Sequence, residues 1–538
     1  MKSDSPAVQG QQSERSGDSP EAPGRSAVPK GLTKRALGGM LWTFSGTGVQ
    51  ALVQLLVIMA LGRLLTPSDF GLMGAAVVVI ALSQIVSQVG VGPAIVQRRE
   101  LDAIHVRTAF TISGGLGFVL GAGVWLAAPA LAAFYRIPAV EPVFRGVALL
   151  FPIDGLNTVG ESLLTRQLRF RLFVAIDAGC YIVGYACVGV VLAWMGYGVW
   201  SLVAASISQI TLRTIAMYLA TRHPVRPSLN LQASRDLLSF GFGHSLAQVG
   251  SVFSQQGDNL IVGRWLGPAA LGVYGRAYTL MVMPATVFGK IVNRVLFPVM
   301  SQVQGERDRL AGAYERALAI VALISLPVSA CLWIVAPEFI PALLGPKWTA
   351  VVLPFRLFTI GLFFRMSSKI SDACTKAAGA VYSRALIQGV YAAMVLLGAL
   401  IGQQNGIGGV AVAVSIAMGI NWLWMASLGR SVTGLSWPRF FRAQAPGALF
   451  ALLIGAAVAL TVQAPRAAHL GRIAVLVVGG LTAVAVAFGA WRVRSERLLG
   501  PHGAWAVMRA EEFIRQGLQR LGRFQGADPD GLAKANSE

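Results

Sequence analysis

The chain has 538 residues, 55% of them hydrophobic and only 13% charged, where an ordinary soluble protein carries roughly a quarter charged. That composition excludes most soluble readings and fits a protein solvated by a bilayer. Lys and Arg number 45 against 24 Asp and Glu, a formal charge of +21. In a soluble chain this excess suggests nucleic acid; in an apolar chain the cations mark cytoplasmic loops, so no nucleic-acid partner is expected.

Residues 1–36 are rich in Ser, Pro, Gly and charge and read as a disordered cytoplasmic tail, not as a secretory signal. From Leu37 onward the sequence falls into apolar segments of about 20 to 30 residues, the length needed to cross a hydrocarbon core of ~30 Å. Fourteen are expected, at 37–62, 70–97, 108–134, 144–165, 173–195, 198–221, 237–262, 270–303, 317–337, 350–378, 382–402, 406–429, 443–463 and 471–491. The segments 144–165 and 237–262 are the most polar of these. With the N-terminus inside, the even-numbered connections carry three Lys or Arg each in or flanking them, such as Arg98, Arg99 and Arg107, or Lys369, Lys376 and Arg384, and the odd-numbered ones carry two or fewer. Both termini are therefore expected in the cytoplasm.

Cys180, Cys187, Cys331 and Cys374 lie in apolar stretches without CxxC spacing or a nearby histidine cluster, so they read as packing residues, and neither metal nor cofactor is expected. Residues 493–538 read as a cytoplasmic amphipathic tail. In it Trp505, Met508, Phe513, Ile514, Leu518 and Leu521 recur at helical spacing with arginines between them, the pattern of a helix lying on the anionic inner leaflet, the alternative being a partly ordered solvated tail.

An internal repeat sets the architecture. The run Gly62-Arg63-Leu64-Leu65-Thr66-Pro67-Ser68-Asp69-Phe70-Gly71 returns as Gly263-Arg264-Trp265-Leu266-Gly267-Pro268-Ala269-Ala270-Leu271-Gly272, at the outer junction of the first two spans and again of the seventh and eighth. A fainter echo pairs Phe144-Arg145 with Phe355-Arg356. Six spans separate equivalent elements, so the halves share one orientation, as in transporters built from parallel repeats. The expected fold is an all-α polytopic membrane protein with about 14 transmembrane helices. Two parallel-repeat six-helix lobes, at 37–222 and 236–430, are followed by an extra helix pair at 443–492.

Charges inside spans are costly and mark a pathway by default. Arg365 lies deep in the tenth span with Lys369 one turn further on the same face, and Lys290 and Arg294 show the same spacing in the eighth. They read as a cationic lining for an anionic substrate, or as side chains snorkelling to the inner interface. Asp154 and Asp258 are candidate coupling-ion sites because a water-poor cavity favours a protonated carboxyl. Alternatively they are pairing partners, Asp258 for Arg264 and Asp154 for Arg365, which the Phe-Arg echo places at equivalent positions. Gln50 and Gln54, Gln84 and Gln88, Asn157, and Gln255 with Gln256 supply amides suited either to sugar hydroxyls or to helix-to-helix bonds. His244 reads as a packing residue. No catalytic residue is assigned.

The stretches 256–267 (QGDNLIVGRWLG), 272–278 (GVYGRAY), 295–301 (VLFPVMS), 62–71 (GRLLTPSDFG) and 163–171 (LLTRQLRFR) resemble the Wzx-type polysaccharide-transport flippases and exporters, particularly the colanic acid exporter-like branch, within the multidrug/oligosaccharidyl-lipid/polysaccharide superfamily. The resemblance implies a bacterial inner-membrane transporter that moves polyprenyl-pyrophosphate-linked oligosaccharide to the periplasmic leaflet by alternating access. Exopolysaccharide, capsule or O-antigen synthesis follows, with membrane lipids, a polymerase and chain-length or export machinery as partners. A cation-coupled small-molecule antiporter of the same superfamily is the alternative, disfavoured by the basic excess within the spans. A membrane glycan polymerase or glycosyltransferase fits less well, because the outer connections are short.

Overall fold

The computed structural model describes residues 50–87, 91–98, 101–493, 499–504 and 508. The tail at 1–36, the start of the first span and nearly all of the amphipathic stretch from Trp505 lie outside the described residues, as do the side chains of Gln84, Gln88, His244 and Arg294.

Every regular element among the described residues is helical. The first half holds α1 (Gln50–Leu64), α2 (Pro67–Ser87), α3 (Val91–Gln97), α4 (Ala103–Tyr135), α5 (Glu141–Ala148), α6 (Leu150–Arg166), α7 (Phe170–Tyr181), α8 (Val190–Trp194) and α9 (Val199–Thr221). The second holds α10 (Leu231–Ile291), α11 (Phe297–Gln302), α12 (Arg307–Leu344), α13 (Val352–Ala377), α14 (Val381–Gly402) and α15 (Gly406–Thr433). Helices α16 (Trp437–Thr461), α17 (Gln463–Ala467) and α18 (Arg472–Val493) follow, and α16 and α18 pack on α12. The helix over 499–504 buries Leu499 and Ala504 beside the same group.

Among the described residues, eight helical stretches are long and apolar enough to cross a membrane. α1 and α2 are apolar but shorter in their described extent, α14 and α15 form one continuous apolar stretch, and neither α6, 17 residues long with Asp154, Glu161 and Arg166 in it, nor the polar α10 is among the eight. The polarity of α6 and α10 has a cause inside the bundle, since both carry amides and carboxylates into its interior. The outer surface is apolar: Leu126, Leu452, Leu460 and Ile473 are each more than 70% exposed, a distribution that suits lipid and not water. The protein is a multi-pass membrane protein.

Local chemistry builds the repeated corner. In the first copy, the Asp69 carboxylate accepts from the backbone N–H and hydroxyl of Thr66 (2.8 and 2.6 Å), Asp69 N–H donates to Thr66 Oγ1 (3.3 Å), and Pro67 occupies the first turn, so the two residues cap α2 reciprocally. In the second copy Gly267 adopts φ 82°, which breaks α10 into two helical arms at a conformation glycine accepts without strain, and Pro268 opens the second arm. The two corners then pack against each other. A Cβ on Gly71 would lie 1.7 Å from the Pro268 carbonyl oxygen, and one on Gly272 would lie 1.8 Å from that of Pro67. Reciprocal contact of equivalent residues is what a twofold relation between halves produces, and it brings α2 and α10 backbone to backbone.

The fainter echo has a counterpart as well. Phe144 and Phe355 are both fully buried; Arg145 lies 5.2 Å over the Trp125 ring, and Arg356 donates to the Trp333 carbonyl at 3.0 Å.

Candidate functional site

A cavity of about 510 Å³ lies between the halves. Its first wall carries Gln50 and Gln54 of α1, Phe70 of α2, and Tyr181 and Tyr185; its second carries Gln255, Asn259, Arg276, Tyr278 and Lys290 of α10 with Arg365 of α13. A second cavity of about 460 Å³ lies within the second half, lined by Arg365, Lys369, Asp372, Lys376, Arg384, Gln388 and Tyr391 among others. Arg365 and Gln255 stand in the wall common to both.

Arg365 donates to the Tyr278 hydroxyl at 2.7 Å and lies 5.4 Å over that ring. Asp258 interacts with it electrostatically, yet no ion pair to Arg365 forms among the described residues. Asp258 is instead held by the Tyr274 hydroxyl (2.7 Å) and the Asn259 backbone N–H (2.8 Å) in a fully buried position. Arg264 does not bind it: its guanidinium donates to the Phe134 carbonyl and stacks over Phe134 and Trp265.

Lys369 opens into the second cavity, where Asp372 is already shared between Lys376 (2.6 Å) and Arg384. Lys290 faces the central cavity and is exposed there. The described lining of the second half is thus in cationic excess.

The first half has the opposite balance. Gln50 donates to Asp177 at 2.9 Å, Asp177 meets Arg213 at 3.4 Å, Arg213 meets Glu161 at 2.9 Å, and Asn157 donates to Glu161 at 3.3 Å. One arginine here holds two carboxylates together, and Asp154 interacts with the same Arg213 and Glu161. Asp154 is therefore not opposite Arg365, although the repeat register equates their positions; each answers to charges of its own half. Asn157 lies off the central cavity at the far end of this chain of bonds, and Gln50 joins it to the cavity wall. Gln54 lines the cavity directly.

Four groups matter here that were not among the expected site residues. Arg213 is a charge inside an apolar run, the same signal that singles out Arg365. Arg276 falls in the 272–278 stretch beside the repeated corner, and its guanidinium lies 4.4 Å over the Phe70 ring across the cavity. Tyr181 and Tyr185 stack on one another with centroids 4.9 Å apart. They flank the start of a π-helical turn at Ile182–Gly189, and sequence periodicity does not reveal such a turn.

A polytopic membrane protein with repeated halves and a polar cavity of mixed amide, aromatic and cationic lining is the class that this fold and site define. The chain belongs to the family described as "Polysaccharide biosynthesis protein", which matches residues 60–353. It is similar to the "Lipopolysaccharide biosynthesis protein WzxC" of Escherichia coli (strain K12), 24% identical over 345 residues that cover 63% of this chain and 70% of that protein. It is also similar to the "Succinoglycan biosynthesis transport protein ExoT" of Rhizobium meliloti (strain 1021), 27% identical over 54% of this chain and 58% of that protein. Among solved structures, the lipid II flippase MurJ in its inward closed conformation shares the fold, with a TM-score of 0.67 and 12% identity, covering 84% of this chain and 99% of that one.

Proposed function

We propose that the protein is a flippase of the bacterial inner membrane, with both termini cytoplasmic. It moves an oligosaccharide linked to polyprenyl pyrophosphate to the outer leaflet by alternating access and hands it to the polymerising and exporting machinery. The working units are the two lobes, 37–222 and 236–430, with the pair 443–492 carried on the second. The observation that carries this reading is Arg365, a guanidinium in the common wall of two polar cavities with no ion-pair partner among the described residues. A cation in that position attracts a multiply charged anion by charge-assisted hydrogen bonds. With Lys369 behind it and Lys290 at the cavity face, and with Arg294 one turn beyond Lys290 in sequence, it forms a basic seat for the pyrophosphate. Gln54 and Gln255 offer amides to the sugars, and the lipid tail stays in the bilayer.

Family membership and the names of the relatives support a role in polysaccharide export, and no bond-making step is needed for it. An inside-negative potential favours outward movement of an anion by ~2.3 kcal/mol per charge per 100 mV, so transport can run without a coupling ion. Asp258 and Asp154 are the carboxyls available should a proton move in exchange.

The test is the appearance of lipid-linked glycan in the outer leaflet of spheroplasts, read with an impermeant lectin. Arg365→Ala is expected to abolish it while the amount of inserted protein stays normal; unchanged flipping overturns the cationic-seat reading. The mass of the lipid-linked glycan that accumulates without this protein identifies the cargo.

A further inference from the structure

We propose that Tyr181, Tyr185 and Arg276 form a subsite for one acidic sugar of the transported glycan, a pyranose stacked on the tyrosine pair with its carboxylate on Arg276. This rests on the flippase reading and adds to it a residue-level sugar specificity, separate from the pyrophosphate seat.

Three observations carry it. The tyrosine rings are stacked at 4.9 Å with only 21° between their planes, and both line the central cavity, so the pair presents a flat aromatic face to the space where cargo must pass. A pyranose carries C–H groups on one face and hydroxyls around its rim, the complement of an aromatic body with a polar tip.

The platform is built rigidly. It lies at a π-helical turn, Ile182–Gly189, of the kind that recurs at functional sites. That turn is clamped on α9, where a Cβ on Gly184 would lie 2.8 Å from the Ala205 carbonyl oxygen, and the Tyr185 hydroxyl is fixed to Ser206 at 2.8 Å.

Arg276, from the opposite half, lines the same cavity and lies near both tyrosines. One face of its guanidinium is covered by Phe70 at 4.4 Å, yet it has neither a carboxylate partner nor a hydrogen-bond acceptor among the described residues, and its Nε is buried and unpaired. A half-buried guanidinium whose donors meet no protein acceptor is an incomplete pair. An anion delivered by the cargo completes it, and the platform beside it selects an anion carried on a sugar ring.

The test uses full-length protein in detergent with three probes: methyl glucuronide and methyl glucoside, read by saturation-transfer NMR, and inorganic pyrophosphate, read by broadening of its 31P resonance. The glucuronide is expected to give at least fivefold more saturation transfer than the glucoside. Arg276→Gln should remove that advantage and leave pyrophosphate binding intact, whereas Arg365→Gln should do the reverse. Replacing both tyrosines by Leu should abolish glucuronide binding, and replacing both by Phe should preserve it, which separates loss of the platform from loss of the fold. No glucuronide preference in the native protein, or a preference that survives Arg276→Gln, overturns the proposal. So does an Arg276→Gln variant that loses pyrophosphate and keeps the glucuronide. The outer-leaflet assay on Arg365→Ala is read independently, so the subsite can fail while the flippase reading stands.

Discussion

Gly71 meets the Pro268 carbonyl so closely that a Cβ would sit 1.7 Å from its oxygen, and the equivalent Gly272 meets Pro67 in the same way at 1.8 Å. Each contact joins the two halves at the edge of the central cavity, whose lining includes the neighbouring Phe70 and Gly272. Neither glycine can gain a methyl group without parting α2 from α10. Gly71→Ala and Gly272→Ala are expected to lower stability alike, by about 1–3 kcal/mol each, the usual cost of overpacking. Gly275→Ala, one turn away on the cavity side where a Cβ meets nothing within 4 Å, is expected to be neutral. Thermal unfolding of the purified variants in one detergent checks this, and a Gly275→Ala loss as large as the other two would show that the close approach is not the cause.

Two inward carboxylates of the first half depend on one cation. Arg213 bridges Glu161 at 2.9 Å and Asp177 at 3.4 Å, and its own side chain is only 17% exposed. Arg213→Ala leaves two like charges facing each other and is expected to destabilise the fold by about 1–3 kcal/mol, between the exposed and the fully buried cases. Adding Glu161→Gln to Arg213→Ala should recover part of the loss. Thermal unfolding of the single and double variants gives the coupling, and strictly additive losses would argue against the bridge.

The repeat was legible because Gly, Arg, Pro and Gly recur at a constant offset: Gly71 and Gly272 are fixed by close backbone approach, Pro67 and Pro268 open helices, and Arg63 and Arg264 each donate to a carbonyl of a neighbouring helix. Arg365 was legible because a charge in an apolar run stands out. Arg213 carries that same signal. The partners of these charges were not legible. Asp154 and Arg365 share a repeat register, but register gives position along a helix and not which neighbour a side chain meets. Tyr181 and Tyr185 look like packing residues in sequence, and only the π-helical turn and the facing Arg276 give them a role. The polarity of α6 and α10 reports the groups they carry inward.

His223, just past the end of α9, is buried against Tyr218 and Phe110, with Nδ1 on the Thr221 hydroxyl at 2.8 Å and Nε2 without a partner. Burial holds its pKa below the usual 6.5, favouring the neutral ring. The unfolded chain therefore binds more protons than the folded one between the folded pKa and 6.5, and stability rises with pH across that window. The contribution is fully present above 6.5 and is lost as pH falls through the window. Unfolding temperatures measured from pH 7.5 downward should drop less steeply for His223→Phe than for the native chain. Identical slopes would remove His223 as a source of the acid sensitivity.

The junction at this edge of the cavity is also held by polar bonds between the halves. Trp348, fully buried, donates from Nε1 to the Gly62 carbonyl at 2.7 Å and meets the Phe70 ring edge-on at 5.3 Å. Beside it Lys347 donates to the Arg63 carbonyl at 2.9 Å, and Arg63 donates to the Ala342 carbonyl at 2.7 Å. Removing the indole deletes the largest of these contacts, with the ~3–5 kcal/mol typical of a buried aromatic truncation. Because the bonds join the two halves, much of that loss should appear as easier separation at this junction. A cysteine placed at Gly275, which lines the cavity, is expected to react with an impermeant maleimide added from outside at least fivefold faster in Trp348→Ala than in the parent, all native cysteines being replaced. Trp348→Phe, which keeps the ring and loses the bond to Gly62, should fall between them. Equal labelling rates in all three would mean that Trp348 stabilises the fold without holding this junction together.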